Sequence, residues 1–280
     1  MKKAGKKTTA LLFILLIVGL FLLLYPSVSE YWNRRVQSRA IVGYLQEVST
    51  LDDNKYAQFW EEARAFNQKL LERRNEYELP ESLEDEYHSV LNVANNGIMG
   101  YIDIPVIGTN LPIYHGTEEN VLQVAIGHLD WSSLPTGGEN THCVVSGHRG
   151  LPSARLFSDL DKLVLGDLFT MHVLDERLTY EVDQILIVEP HEVSDLVVEE
   201  GKDLVTLVTC TPYGVNSHRL LVRGHRVETQ VGVQHVRVTA DAVVIEKLVV
   251  VPFVLVPILM MLMVFLLISI GRKKNRRKKR

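Results

Sequence analysis

Cys210 and Arg219 stand nine residues apart in DLVTLVTCTPYGVNSHRLLVRGHR, residues 203–226. The apolar and β-branched runs Leu204–Thr209 and Leu220–Val222 flank a segment holding Pro212, Gly214 and Asn216, which predicts strand, turn, strand. Antiparallel neighbours joined in this way bring Cys210, where one strand ends, beside Arg219, where the next begins. A fixed guanidinium charge lowers the cost of a thiolate, so Cys210 is a candidate nucleophile.

A nucleophile of this kind needs a titratable partner, and the chain has ten histidines. His148 follows the strand HCVVS in the turn GHRG, where Gly147 and Gly150 leave an imidazole uncrowded at a strand end. His218 precedes Arg219 on one strand, so the two point to opposite faces and cannot both serve one site. His225 lies further along that strand. His115, His128, His142, His172, His191 and His235 have no comparable setting and read as structural residues. No histidine pair has zinc-site spacing, and the two cysteines form no CxxC, so neither a metal nor a cofactor is expected. Cys143, in the strand leading to His148, reads as a small buried hydrophobe. A disulfide from it to Cys210 would block the nucleophile.

The elements that must position these groups begin at Gly97. Strand-like segments follow at short intervals, at Met99–Ile104, Leu111–Tyr114, His142–Ser146, Asp167–Val173, Leu178–Val188, Val205–Thr209 and Arg219–Val227. Brief helical pieces are expected near Glu118–Val124 and Ser153–Leu163. Seven or eight short strands with little helix suggest a closed or nearly closed β-barrel. Residues 30–96 carry a helical pattern instead, through Tyr31, Val36, Ile41, Tyr44 and Leu45. After a break at Ser49–Asn54, where Asp52 or Asp53 can cap, it resumes through Phe59, Trp60, Ala63, Phe66 and Leu70. These helices are expected to pack against the barrel.

Both ends of the chain read as membrane-bound. Residues 8–29 hold no charge and suffice to cross ~30 Å of hydrocarbon, after the basic residues of 1–7. A small-x-small triplet at Ser27–Ser29 would suit a cleaved signal, but the apolar core exceeds the ~7–15 residues of such a signal, so an uncleaved anchor is expected. A second uncharged run, 248–270, carries Pro252 and Pro257, which membrane helices tolerate, and the basic tail 271–280 follows it. Positive flanks stay inside, so residues 30–247 are expected outside the cell, with 229–247 as a juxtamembrane connector. The two basic tails contain no Asp or Glu, so a formal net charge of −4 hides a strongly acidic middle. Such a domain repels phosphates, which argues against nucleic-acid binding, and the basic tail reads as a stop-transfer flank.

Residues 97–228 resemble the catalytic domain of a sortase. The segments GIMGYIDIP, LPIYHGT, GHLDWSSLPTGG, SGHRGLP and TLVTCTPYGVNSHRLLVRGHR together resemble class C, the pilin-polymerising sortases of Gram-positive bacteria. The likeness spans roughly the whole extracellular part, most tightly its second half. It implies a closed eight-stranded β-barrel and a cysteine transpeptidase acting on an LPxTG-like sorting signal. By that likeness Cys210 is the nucleophile, His148 the general acid and base, and Arg219 the cation that stabilises the substrate carbonyl as an oxyanion. It also implies pilin subunits as partners, with a pilin lysine as acceptor. In housekeeping relatives the acceptor amine belongs to a cell-wall precursor. A membrane-tethered cysteine hydrolase, or an inactive scaffold binding sorting signals, would present much the same sequence. Residues 71–98 lack the Asp-Pro-aromatic anchor of the usual class C lid. The expectation is therefore an open cleft, unless Tyr77 or Tyr87 supplies the aromatic group.

Overall fold

The computed structural model describes residues 6–73 and 76–229. Helix α1 (Lys6–Ser49) takes in the first uncharged run, and within Phe13–Ser49 an 18-residue window with a mean hydropathy of 2.1 makes it long and apolar enough to cross a bilayer. It is the one such helix among the described residues. The second run, 248–270, lies outside them, as do the basic tail and the connector beyond 229. Residues 29–229 belong to one compact unit that contains the barrel.

Asp52 caps α2 (Asp53–Glu72), its carboxylate accepting from the Lys55 backbone N–H at 2.8 Å. The helix buries Trp60, Ala63, Phe66 and Leu70, the expected stripe, against the barrel core. Helix α3 (Glu81–Ser89) adds Tyr87 to the same core. The apolar pattern of α1 misleads, however. Ile41 and Tyr44 are buried, but Tyr31, Val36 and Leu45 are exposed. Along residues 30–37 the face turned to the barrel is instead polar: the side chains of Asn33 and Gln37 donate to Ser153 O (2.8 Å) and Val124 O (2.7 Å), and Glu30 accepts from Arg155 N (2.7 Å). Hydrogen bonds satisfy that face where apolar periodicity would demand contact.

Eight strands follow: β1 (Ile98–Ile104), β2 (Thr109–His115), β3 (Ile126–His128), β4 (Thr141–Ser146), β5 (Leu168–Val173), β6 (Glu176–Val188), β7 (Asp203–Thr211) and β8 (His218–Arg226). They close into a barrel in the order β1, β2, β3, β4, β7, β8, β6, β5. Seven match the segments expected from sequence. β3 has three residues, too few to show an alternating pattern. Of the two brief helices, the first is α4 (Glu119–Leu122). The second is corrected to a single 3-10 turn, Leu160–Lys162. Tertiary bonds shape that segment, with Gly150 N donating to Ser158 Oγ at 3.0 Å and Arg149 pairing with Asp161.

β7 is buried almost throughout because both of its faces are covered. Val205 and Leu207 point into the barrel core, while Val208 joins Val144, Val188 and Leu221 in a smaller cluster on the outside. Leu196 and Val193, from the connection between β6 and β7, cover that outer cluster.

Three of the histidines read as structural are buried and bonded. His128 has Nδ1 3.0 Å from Tyr87 Oη and Nε2 2.9 Å from Ser133 O, and burial pushes its pKa down to about 3. Burial lowers the pKa of His115 and His142 too. An imidazole held neutral in the fold takes up its proton on unfolding. Its stabilising contribution is therefore complete above the ordinary value near 6.5 and is lost as pH falls toward about 3, at ~1.4 kcal/mol per pH unit per proton. Urea midpoints should decline as pH drops from about 7 to about 5. A flat profile would contradict neutral buried imidazoles.

Candidate active site

The site forms where three strands end together. β7 and β8 pair antiparallel, and within that ladder Cys210 lies directly opposite Arg219. β4 runs parallel to β7, from Thr141 opposite Asp203 to Ser146 opposite Val208. Gly147 N donates to Val208 O at 3.0 Å, and Thr209 Oγ1 donates to Gly147 O at 2.7 Å, carrying the pairing one residue beyond the strand. His148 therefore leaves β4 at the end of the sheet where Cys210 leaves β7. The three residues singled out in the sequence are brought to one end of adjacent strands.

Each is partly accessible, as a substrate-contacting group must be. Cys210 and Arg219 are half-buried, and the His148 side chain is 28% exposed. Arg219 Nη1 donates to Asn216 O (3.3 Å) and His218 O (3.2 Å), so the turn between β7 and β8 orients the guanidinium. In that turn Asn216 adopts φ 59° and Gly214 φ 75°, left-handed values that these residue types accept. The backbone of His148 is held as well, its carbonyl accepting from Phe157 N at 3.2 Å.

Two further residues escaped the sequence reading. Glu119, at the start of α4, places Oε2 3.7 Å from His148 Nε2, but its side chain is 73% exposed, so the attraction is weak. Arg149 is almost buried. It donates to Thr211 Oγ1 at 3.3 Å and pairs with Asp161, tying the residue after Cys210 to the loop before β5. Glu119 comes from a distant connection, and no local pattern announces it. Arg149 could have been suspected from its place directly after His148.

The rejected candidates are placed differently. His218, opposite Thr211, is half-buried and bonded to Ser217 Oγ at 2.8 Å, and His225 lies opposite Leu204 at the other end of β7. Cys143 is 3% exposed and opposite Val205, and burial pushes its thiol pKa well up. Both cysteines are free. Among the described residues no group of His, Cys, Asp or Glu is arranged to hold a metal ion.

From Arg219 a groove of about 220 Å³ runs over the outer face of the barrel, lined by Ser146, Val188, Val193, Leu196, Val208 and Leu221 among others. Trp131 lines it too, and Tyr77 packs edge-on against that indole with ring centroids 5.4 Å apart. Tyr87 is 1% exposed against His128, which removes it as a lid aromatic. A thiol and an imidazole at the same end of the sheet as a guanidinium that lines this partly apolar groove can bind an extended peptide and attack one of its carbonyls.

A family model described as the sortase domain matches residues 102–227. Sortase D of Bacillus subtilis (strain 168) is 31% identical over 131 residues, which are 46% of this chain and 63% of that protein, so the chain spans under two thirds of this relative's length. Among solved structures, sortase C1 of Streptococcus agalactiae is 51% identical with a TM-score of 0.66, covering 68% of this chain and 99% of that one. A Streptococcus pneumoniae sortase C, whose structure is described as bearing on catalysis and pilin substrate specificity, is 43% identical with a TM-score of 0.60, covering 68% and 97%. Half the residues are identical along nearly the whole of a solved sortase C1, so the chain belongs to the sortase family, whose members are cysteine transpeptidases.

Proposed function

We propose that this protein is a membrane-anchored class C sortase that joins pilin subunits. The observation that carries the reading is the direct cross-strand pairing of Cys210 with Arg219, with His148 at the same end of the sheet. The Cys210 thiolate attacks the Thr carbonyl of an LPxTG-like signal lying in the groove. Arg219, a cation that keeps its charge at any working pH, stabilises the oxyanion. The Thr–Gly amide C–N bond breaks, and His148 gives its proton to the departing Gly amine. This leaves the Thr carbonyl as a thioester on Cys210. A pilin lysine amine then attacks the thioester, His148 takes up the amine proton, and the thiolate is released as the new amide forms.

The likeness to sortase C structures supports pilin as donor and acceptor in preference to a cell-wall precursor. The apolar stretch of α1 supports anchoring at the N-terminal side, and 248–270 supplies a second span in this reading, with the catalytic domain outside. The reading separates from a hydrolase by product. Incubated with a sorting-signal peptide, the enzyme should yield an amide-linked conjugate when pilin bearing its acceptor lysine is added, identified by mass spectrometry. Release of free Thr carboxylate at an unchanged rate, with no conjugate, would make the protein a hydrolase.

A further inference from the structure

The end of the barrel that carries Cys210 is also the end at which α1 leaves it. Glu30 and Asn33 hold Arg155 N and Ser153 O, in the loop just after His148, and Gln37 holds Val124 O, just after α4. Further along the helix, Tyr44 Oη meets Met99 O (3.2 Å) and Leu174 N (2.6 Å), at the start of β1 and the end of β5. Between Glu30 and Tyr44 a helix rises about 20 Å. α1 thus runs from the catalytic end of the barrel to the opposite end.

The residues of α1 at the catalytic end have the chemistry of a bilayer interface. The uncharged run ends at Ser29, one residue before Glu30. Tyr31 and Trp32 follow, 61% and 66% exposed, then Arg34 and Arg35, with the Arg35 guanidinium 5.5 Å from the Tyr31 ring centroid. Exposed aromatic rings followed by arginines at the end of an apolar run sit among lipid headgroups. Because Glu30 and Asn33 occupy the same turn and grip the His148 loop, that loop is tied to the same level.

The barrel's own surface gives a second, independent observation. Large apolar side chains exposed between residues 98 and 226 lie at the catalytic end or in the half of a strand nearest to it, Val106, Val164, Leu165, Ile187, Tyr213 and Val215 among them. The opposite end, at Glu139 and at Asp175–Arg177, exposes polar and charged groups. Apolar side chains gathered on one end of a soluble domain mark an interaction surface.

We propose that the Cys210 end of the barrel rests against the lipid headgroup layer, with the mouth of the site opening at the bilayer surface. The inference rests on the membrane anchoring proposed above.

Depth measurements on the full-length chain test it. Nitroxides at Val164→Cys and Val215→Cys report the catalytic end, and those at Glu139→Cys and Glu176→Cys the opposite end, each in a Cys210→Ser background. The vesicles contain phosphatidylcholine, phosphatidylglycerol and a nickel-chelating headgroup lipid. Nickel relaxation should be several-fold stronger at the two catalytic-end labels. A chain that floats with the vesicles but shows equal or reversed relaxation overturns the placement alone. A chain that does not float overturns the anchoring and the placement together.

Discussion

Cys210→Ala should reduce cleavage of a sorting-signal peptide by at least about four orders of magnitude, since loss of a nucleophile that acts as a unit with its base removes nearly all covalent catalysis. The same substitution should leave the fold intact. Cys210 is half-buried at a strand end, away from the core formed by Val205, Leu207 and Val222, so deleting Sγ opens no closed cavity. Peptide should still bind in the groove, because Val208, Leu221 and Arg219 are untouched. Cleavage followed by reversed-phase chromatography, with binding measured separately, checks both parts. Loss of binding together with cleavage would mean that Cys210 shapes the groove and does no chemistry.

His148→Ala should cost about 10²–10⁴ in the same assay, the range for removing a positioned proton donor and acceptor. Here the leaving group is an amine, which departs poorly without a proton. Glu119→Gln should have a small effect. Its carboxylate lies 3.7 Å from His148 Nε2 but is mostly in water, where such a pair contributes under about 1 kcal/mol. The contrast matters because both residues would be drawn in any sketch of the site. Comparable losses for the two would move Glu119 from the margin into the mechanism, and an unaffected His148→Ala would end the proposed role of the imidazole.

Much of this site could be read along the chain because its central pair is local. Cys210 and Arg219 belong to one strand-turn-strand unit, and register alone sets them opposite each other. His148 comes from another part of the sequence, and its selection depended on a glycine-flanked turn together with a likeness to sortases. The parallel pairing of β4 with β7 that brings it near leaves no trace in local pattern. Glu119 was invisible for the same reason.

The misreadings follow one physical rule, that apolar periodicity reports burial only where burial is apolar. Along α1 the exposed Tyr31, Val36 and Leu45 suggested a core face, while the contact face uses Glu30, Asn33 and Gln37. Residues 153–163 looked helical, yet they are shaped by Arg149, Gly150 and Glu30 from outside the segment. Tyr87, considered for a lid, is instead a hub. Its hydroxyl lies against His128 and accepts from Gly116 N at 2.9 Å. Removing residues 76–96 to probe an open cleft would therefore remove part of the core. Tyr77→Ala is the cleaner probe, since that ring packs on Trp131 at the groove.

The central claim is that Cys210 carries the acyl group. Intact-protein mass spectrometry of the enzyme quenched in acid during turnover of a sorting-signal peptide tests it directly. The account predicts a mass increase equal to the peptide fragment ending at Thr, located by digestion on the Cys210 peptide, removed by hydroxylamine and absent from Cys210→Ala. Turnover with an adduct on another residue, or an adduct that persists in Cys210→Ala, would contradict it.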